Sequence, residues 1–494
     1  MSDTAPFRFD NSFAHEMAGF FVAAQPQPAP APRLIRLNGE LAAELDATGL
    51  AQRPPAELAA LFSGNALPPG AEPLAQAYAG HQFGGFSPSL GDGRALLLGE
   101  VVDVAGQRRD IAFKGSGRTP FSRRGDGKAA LGPMLREYLL GEAMHGLGIP
   151  TTRALAVVAT GELVRREDEL PGAVLTRVAA SHLRIGTLQF FAARGEMKML
   201  RQLADYAIAR HDPALTGRDD RYLTWLEAVC ERQARLVAQW MLVGFIHGVM
   251  NTDNAALSGE TIDFGPCAFM EAYDPRAVFS SIDTGGRYAY ANQPPIAQWN
   301  LARMAEAILP LIDPDENTAI GAATAVIESF EPRFEAHWLA GMRAKLGLQG
   351  EAEGDDALAR DWLTLLETGA ADYTLAMCAL ADAAEGLRAP LDGLLGAVPG
   401  LDDWVVRWSE RARLNRPDPA AQAGLMRRHN PLYIARNHLV EAALDAAWRR
   451  DDLAPFERLV GALSRPFERQ PGLEDLAAPA PAGFTAGFKT FCGT

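Results

Sequence analysis

The sequence predicts an α+β protein in which a small β-rich lobe precedes a larger, mostly helical lobe with a helical C-terminal extension. Strand-like apolar segments separated by turn signals are concentrated between residues 94 and 179, whereas helical patterns dominate from about residue 186 to the C-terminus. The chain has 494 residues, of which 48% are hydrophobic. It is therefore long enough to bury a large core in several domains.

The composition argues against nucleic-acid and membrane partners. The chain has 47 lysines and arginines, which are dispersed, and 61 aspartates and glutamates, so its formal net charge is −14. The longest apolar runs, such as "MLVGFI", are too short to span a membrane. Four scattered cysteines favour a reducing compartment, and the N-terminus has no apolar signal core. We expect a soluble cytoplasmic protein.

Composition shifts and turn signals divide the chain into four predicted regions. Residues 1–77 form an N-terminal arm with a Pro/Ala-rich tract, "QPQPAPAP", and a helical extension. Residues 78–185 form the β-rich lobe, and residues 186–345 form the helical lobe. Residues 346–494 form the C-terminal helical extension and tail.

The β-rich lobe is predicted to contain a hairpin that ends on a lysine. "RALLLGEVVDV", the polar turn "AGQRR" and "DIAFKGS" give two strands, the second of which ends at Lys114. The next segment, "GPMLREYLLGEAMHGLGIP", has apolar residues at helical spacing and a Gly/Pro stop signal, and it carries Glu137. Two further strand candidates follow, "RALAVVATGELVRRE" and "GAVLTRVA".

In the helical lobe, the candidate catalytic motif follows a long predicted core helix. An apolar stripe over residues 222–246 leads to "HGVMNTDN", and nine residues after Asn254 the chain reads "DFGP". Protein kinases carry a loop H-R-D-x-x-x-x-N followed by D-F-G. In this register His247 and Asn254 match, but Val249 occupies the position of the catalytic aspartate. The two predicted lobes therefore resemble the bilobal protein-kinase fold.

Asn254 and Asp263 are the candidate metal ligands. A divalent cation bound to a triphosphate takes one or two carboxylate or amide oxygens from the protein and completes its shell with phosphate and water. Taken separately, "TDN" is also typical of an Asx turn and "IDFG" of a turn or helix cap. Their joint register after a core helix favours metal binding. Because Val249 cannot accept a proton, Asp253 is the nearest acid that could act as a base.

Lys114 and Glu137 are candidates for the lysine–glutamate ion pair by which kinases position a phosphate-binding lysine. The alternative is that both are unconnected surface charges. A lysine at the end of an apolar strand, following a glycine-rich turn in the expected order, favours the ion pair.

Other candidate nucleotide contacts lie in glycine- and arginine-rich segments. Glycines let backbone amides approach phosphate oxygens, and arginine forks match phosphate oxygens in bidentate pairs. Each position taken singly is equally typical of a surface turn or an exposed charge. The candidates are Gly91, Gly93 and Arg94 in "LGDGR", Asp126 and Gly127 in "SRRGDGK", and Arg177 and Arg184 in "LTRVAASHLRIGT".

Together these motifs resemble the selenoprotein O family, a kinase-like family also labelled pseudokinase. The segments that carry the resemblance are "YAGHQFGGFSPSLGDGR", "FKGSGRTPFSRRGDGKAALGPMLREYL", "LTRVAASHLRIGTLQFF", "HGVMNTDN", "DFGPCAFMEAYDP" and "NQPPIAQWNLARM". With "NPLYIARNHLVEAAL" and the terminal "CGT", the resemblance covers almost the whole chain.

The resemblance implies protein AMPylation. ATP would lie inverted relative to ordinary kinases, so that AMP passes to a Ser, Thr or Tyr hydroxyl of a protein and pyrophosphate leaves. It implies that Asp253 is the base and that Asn254 and Asp263 bind Mg²⁺, with Mn²⁺ as the alternative. The implied nucleotide contacts are Gly91, Gly93, Arg94, Lys114, Asp126, Gly127, Arg177, Arg184 and Asp263.

Cys492 matches the position of selenocysteine or cysteine in that family, where the resemblance implies redox regulation. The tail reads "FCGT" and has no second cysteine nearby, so an internal regulatory disulfide is not expected. Cys267, inside "DFGPC", is expected to be a small buried residue.

Two functions remain as alternatives to AMP transfer. A phosphotransferase would move the γ-phosphate, but Val249 argues against it because it replaces the catalytic aspartate. A catalytically silent ATP-binding scaffold would have no need of metal ligands, and the retention of both Asn254 and Asp263 argues against it.

Overall fold

The computed structural model describes residues 5–396, 398–414 and 418–491. Within them the chain is a mixed α and β structure, with most strands before residue 180 and mainly helices after it. The strands are β1 Phe21–Ala23, β2 Arg33–Leu37, β3 Leu74–Gln76, β4 Gly80–Gln82, β5 Gly85–Ser87, β6 Ala95–Val102, β7 Arg108–Lys114, β8 Ala129–Ala130, β9 Arg153–Arg165, β10 Glu169–Ala179, β11 Phe245–Ile246 and β12 Ala268–Phe269.

The helices account for most of the second half of the chain. Short 3₁₀ turns join several of them, including the turn Thr252–Asn254. The α-helices are α1 Ser12–Glu16, α2 Gly39–Glu44, α3 Pro55–Ser63, α4 Leu131–Gly146, α5 Ile185–Ala192, α6 Met197–His211, α7 Arg221–Leu242, α8 Gln293–Ile312, α9 Glu316–Glu328, α10 Phe330–Lys345, α11 Asp355–Thr368, α12 Tyr373–Ala384, α13 Ala389–Leu395, α14 Leu401–Arg413, α15 Pro419–His429, α16 Asn437–Arg450, α17 Ala454–Leu463 and α18 Phe484–Gly487.

The main sheet is antiparallel, with strand order β1-β3-β6-β7-β10-β9-β2, and β8 pairs with β10. The predicted hairpin is confirmed as β6 and β7, and the two later strand candidates are confirmed as β9 and β10. The sequence predicted no strand before residue 94, whereas the structure places β1, β2 and β3 of the N-terminal region in this sheet.

Both faces of the sheet are covered, which explains the pattern of β7. Ile111 and Phe113 pack in a smaller core cluster with residues of α2 and α3, whereas Ala112 packs in the main cluster with residues of α4. Because side chains alternate along a strand, Lys114 lies on the same face as Ala112. The strand therefore ends with a lysine directed to the α4 side of the sheet.

The long core helix is confirmed as α7, but it ends at Leu242 rather than continuing to His247. Gly244 has a φ of +72°, a left-handed conformation that ends the helical path. The short strand β11 follows and pairs with β12, so that a two-stranded ribbon carries the chain to His247. No helix in the described ranges is both long enough and apolar enough to span a bilayer.

Candidate active site

One cavity of about 330 Å³ lies where the main sheet, α4 and the loop after β11 meet, and it collects most of the predicted site residues. Gly91, Asp126 and Gly127 are not among the residues that line it. The predicted residues that do line it are Gly93, Arg94, Lys114, Glu137, Arg177, Arg184, Asp253, Asn254 and Asp263.

Lys114 lies between two carboxylates at the floor of the cavity. Its Nζ donates to Oε1 of Glu137 on α4 and, at 2.7 Å, to Oδ1 of Asp263. The side chains of Lys114 and Glu137 are 5% and 6% exposed. The lysine–glutamate pair predicted from the sequence is therefore formed, and the alternative of two surface charges is wrong.

Arg177 reaches the same carboxylate from the neighbouring strand. It is the cross-strand partner of Ala112, so it shares the α4 face of the sheet with Lys114. Its Nη1 donates to Oδ1 of Asp263 at 2.8 Å, and its Nε donates to Nε2 of His182 at 3.2 Å. Two buried cations therefore converge on one oxygen of Asp263.

His182 is held by a second buried carboxylate. Its ring Nδ1 lies 2.9 Å from Oδ2 of Asp110, and its backbone N–H donates to the same oxygen at 2.8 Å. Burial lowers the pKa of His182, and the charge of Arg177 adds to that effect. A neutral ring that donates from Nδ1 to Asp110 leaves Nε2 free to accept from Arg177.

Asp263 adopts an unusual backbone conformation and stays ionised. Its φ is +63°, in the left-handed region that aspartate and asparagine tolerate better than most residues. Burial alone would raise the pKa of Asp263, but the charges of Lys114, Arg177 and Arg184 outweigh it and hold this pKa well below its usual range.

Asp253 lies on the 3₁₀ turn beside Asn254, in different surroundings. Its Oδ2 accepts from Nε2 of Gln82 at 3.2 Å, whereas its buried Oδ1 has no hydrogen-bond partner in the described part of the chain. Burial raises the pKa of Asp253 to about 6, against the lowering effect of Arg184. An under-satisfied carboxylate that faces a cavity and titrates near neutral pH is suited to accept a proton.

Arg184 lies against the aromatic ring of Tyr78 and forms no ion pair with the residues that the structure describes. Its guanidinium carbon is 4.4 Å from the ring centroid, and its buried Nε has no hydrogen-bond partner in the described residues. A buried guanidinium that is not neutralised by a direct partner favours an anionic ligand.

Asn254 and Asp263 both have an oxygen that is suited to a hard cation. The side-chain amide of Asn254 donates to the carbonyl of Val249 at 3.0 Å, which leaves its Oδ1 for a ligand. Both cations that contact Asp263 bind Oδ1, which leaves Oδ2. No group of three or more His, Cys, Asp or Glu side chains suited to a metal occurs in the described ranges. The pair fits Mg²⁺ if phosphate and water complete the shell.

The loop that carries Asp253 is connected to the segment that carries Asp263. His247 is buried, and its Nε2 lies 3.0 Å from the carbonyl oxygen of Ile262, directly before Asp263. This contact links the two halves of the motif. Val249 is 5% exposed and lines the cavity, so an apolar side chain occupies the position of the kinase base.

The glycine-rich turn lies at the edge of the cavity. Gly91 has a φ of +66°, and a Cβ at this position would lie 2.3 Å from the ring of Phe121. Thr119 and Ser122 donate hydrogen bonds to the carbonyls of Asp92 and Gly93. Gly91 is therefore needed for the packing of the turn against residues 119–122, and Gly93 is the glycine that faces the cavity.

Asp126 and Gly127 occupy a separate turn. Asp126 forms a bidentate ion pair with Arg166, at 2.9 and 3.2 Å, and accepts from the backbone of Lys128. Gly127 has a φ of +69°, and a Cβ there would lie 2.1 Å from the carbonyl oxygen of Gly117. In this conformation their contacts are structural.

Several lining residues were not singled out from the sequence. Asp92 lies between the two glycines of "LGDGR" and is buried, and Gln82 and Tyr78 lie in "YAGHQ". His182, which does not line the cavity but contacts Arg177, lies between the two arginines of "LTRVAASHLRIGT". The sequence signal for Asp92 was its position between two glycines that were already candidates. The contacts of Tyr78, Gln82 and His182 depend on distant elements and have no such signal.

Cys267 is fully buried, as predicted, and burial raises the pKa of its thiol to about 12. The described cysteines, Cys230, Cys267 and Cys378, are free thiols. Cys492 lies outside the described residues.

Comparison with known proteins gives one family over nearly the whole chain. The family model described as "Protein adenylyltransferase SelO" matches residues 4–464. Proteins named "Protein nucleotidyltransferase YdiU" are similar along their full length. That of Cereibacter sphaeroides is 63% identical over 490 residues, which cover 99% of this chain and 100% of the relative. That of Chromobacterium violaceum is 62% identical (95% and 98% covered), and that of Rhizobium meliloti is 56% identical (99% of both).

Proposed function

The chain belongs to the SelO family of protein adenylyltransferases, and we propose that it transfers AMP from ATP to Ser, Thr or Tyr hydroxyls of proteins. The acceptor oxygen attacks the α-phosphorus, the bond to the β-phosphate oxygen breaks, and pyrophosphate leaves. The hydroxyl proton passes to Asp253.

The observation that carries this proposal is the position of the acidic residue in the loop after β11. The buried, apolar Val249 occupies the sequence position of the kinase base, whereas Asp253 lines the cavity with a buried oxygen that has no hydrogen-bond partner among the described residues. In an ordinary kinase the reacting atom is the γ-phosphorus, whereas in an inverted nucleotide it is the α-phosphorus, at a different place in the cavity. A base at Asp253 instead of position 249 fits that change.

The buried cations support the inverted orientation. Lys114, Arg177 and Arg184 line the cavity and are buried. Charges placed there would neutralise the β- and γ-phosphates and the developing pyrophosphate. Arg177 and Arg184 supply planar donors that match phosphate oxygens.

We assign the remaining roles as follows. Asn254 and Asp263 hold Mg²⁺, or Mn²⁺, which when bound neutralises phosphate charge. Glu137 positions Lys114. Gly93 and Arg94 approach the nucleotide from the glycine-rich turn, whose packing depends on Gly91. Gly91, Asp126 and Gly127 reach the nucleotide only if their turns move from the positions described above.

We also propose a kinase-like arrangement of two lobes. Residues 78–185 form the N-lobe, residues 186–345 form the C-lobe with the catalytic and metal-binding loop, and residues 346–494 extend it. The sheet before residue 180 and the helices after it support this division. The acidic net charge of −14 favours proteins over nucleic acids as acceptors. The few, scattered cysteines support a cytoplasmic location.

Differently labelled ATP tests the proposal. The purified chain is incubated with soluble lysate proteins and labelled ATP. ATP labelled at the α-phosphate should give protein-bound label that requires Mg²⁺ or Mn²⁺, whereas ATP labelled at the γ-phosphate should give no protein-bound label. Protein-bound γ label would identify a phosphotransferase, and the absence of both labels would identify a silent scaffold. Asp263→Asn is the matched inactive control.

A further inference from the structure

A tight hairpin at the mouth of the cavity has an unexpected residue in its turn. Strands β4 and β5 pair Gln82 with Gly85, so that Phe83 and Gly84 form a two-residue turn. Both have positive φ, +50° and +85°. Such mirror-image turns strongly prefer Asn-Gly or Asp-Gly, and a bulky residue with positive φ is strained.

The strain is maintained because the hairpin is hydrogen-bonded to the loop that bears the candidate base. The backbone N–H of Phe83 donates to Oδ1 of Asn251 at 3.1 Å, and that of His81 donates to Oγ1 of Thr252 at 2.7 Å. Gln82 donates to Asp253. These contacts hold the turn in a fixed position beside Asp253.

The hairpin displays apolar side chains to solvent. Phe83 is 40% exposed and Phe86 is 42% exposed, and Ile282, across the mouth, is 47% exposed. Phe83 and Ile282 also line the cavity. Phe83 contacts the ring of Tyr288, with centroids 5.1 Å apart, yet it strains its own turn and leaves much of its ring in solvent. Local rules are broken in this way mainly at functional sites.

We propose that Phe83, Phe86 and Ile282 form the docking surface for the acceptor protein. The occupant is an extended polypeptide segment with an apolar or aromatic side chain close to its acceptor hydroxyl. This inference rests on the proposed function, because it names the substrate side of the same site.

The position of the surface favours an acceptor over a nucleotide. The cations suited to phosphates, Lys114, Arg177 and Arg184, are buried, whereas the exposed Phe83 and Ile282 line the outer part of the cavity. Phe86 lies three residues from Phe83 on the same hairpin and is also exposed. The mouth is continuous with the cavity and adjoins Asp253, where an incoming hydroxyl has to lose its proton. Aromatic anchors of this kind are typical of the centre of protein interfaces.

The variant Phe83→Asn should weaken docking of the acceptor protein without lowering the stability of the chain. Asparagine suits the turn better than phenylalanine, which offsets the loss of the ring contact with Tyr288, so the melting temperature should stay about the same. The ATP affinity should also stay the same. AMP transfer to soluble lysate proteins, measured with α-labelled ATP, should fall at least tenfold.

The modified sites give a second readout. Mass spectrometry of wild-type reactions should show apolar residues enriched within a few positions of the modified hydroxyl, and Phe83→Asn should lose that enrichment. Phe83→Leu should retain part of both the transfer and the enrichment. Val104→Asn is the control, because Val104 is 68% exposed in the connection between β6 and β7 and does not line the cavity; it should behave as wild type.

Unchanged transfer and unchanged site preference in Phe83→Asn would overturn the proposal. If that variant does not fold, Ile282→Asn provides the same comparison. A change of oligomeric state in Phe83→Asn would instead make this surface a contact between copies of the chain. If the wild type transfers the γ-phosphate, the proposed function fails, yet the same variants still test docking with γ-labelled ATP.

Discussion

Replacement of Asp263 tests whether this carboxylate both binds metal and orders the buried cations. Asp263→Asn keeps the shape of the side chain and its tolerance of a φ of +63°, but removes the charge opposite Lys114 and Arg177. Asp263→Ala removes the charge and also places a residue with a Cβ but no polar side chain in the left-handed region. The two variants therefore differ mainly in backbone strain and in the remaining hydrogen bonds.

The expected losses differ for activity and stability. A metal-bound phosphate contributes several kcal/mol to transition-state stabilisation, so at about 4 kcal/mol both variants should lose roughly a thousandfold in kcat/KM. The left-handed conformation costs alanine about 1–2 kcal/mol. Asp263→Ala should therefore be less stable than Asp263→Asn by at least about 1 kcal/mol in the free energy of unfolding.

Two measurements check this reasoning. AMP transfer from α-labelled ATP gives kcat/KM at saturating Mg²⁺, and urea unfolding followed by circular dichroism gives the two stabilities. A folded Asp263→Asn protein that transfers AMP at the wild-type rate would refute the metal assignment. Equal stabilities of the Asn and Ala variants would refute the backbone argument while leaving the metal assignment intact.

Three further outcomes are expected. Asp253→Ala should lower kcat for AMP transfer far more than it lowers ATP affinity, because a base acts mainly in the transition state; equal losses in single-turnover and binding assays would make it a binding residue. Arg177→Lys should lie between wild type and Arg177→Ala in kcat/KM, because the contacts to Asp263 and His182 come from two different guanidinium nitrogens, whereas lysine has its donors on one nitrogen. Arg177→Ala should reduce the difference between the affinities for ATP and ADP, measured by calorimetry. His182→Gln should retain more transfer than His182→Leu at similar melting temperature, because an amide can donate to Asp110 and accept from Arg177; equal activity of the two would show that the ring does not position Arg177.

Local patterns explain which contacts were predictable. The hairpin of β6 and β7 and helix α4 follow from short-range periodicity, and they place Lys114 and Glu137 at defined positions. The spacing from His247 to Asn254 and Asp263 also lies within one short segment. Such motifs are visible in the sequence because residues that are close in the chain also lie close together in the folded site. From them the sequence by itself predicted the proposed metal pair, Asn254 and Asp263, and the proposed base, Asp253.

Other features depended on contacts between distant segments. Strand β2 pairs with β9 across more than a hundred residues, and neither β1 nor β2 is long enough to show periodicity by itself. The contact of His182 with Asp110 joins a loop to another strand, and the position of Asp126 was decided by its ion pair with Arg166. Only the tertiary structure determined these, because pairing energy and burial arise when segments meet and leave no local pattern in the chain.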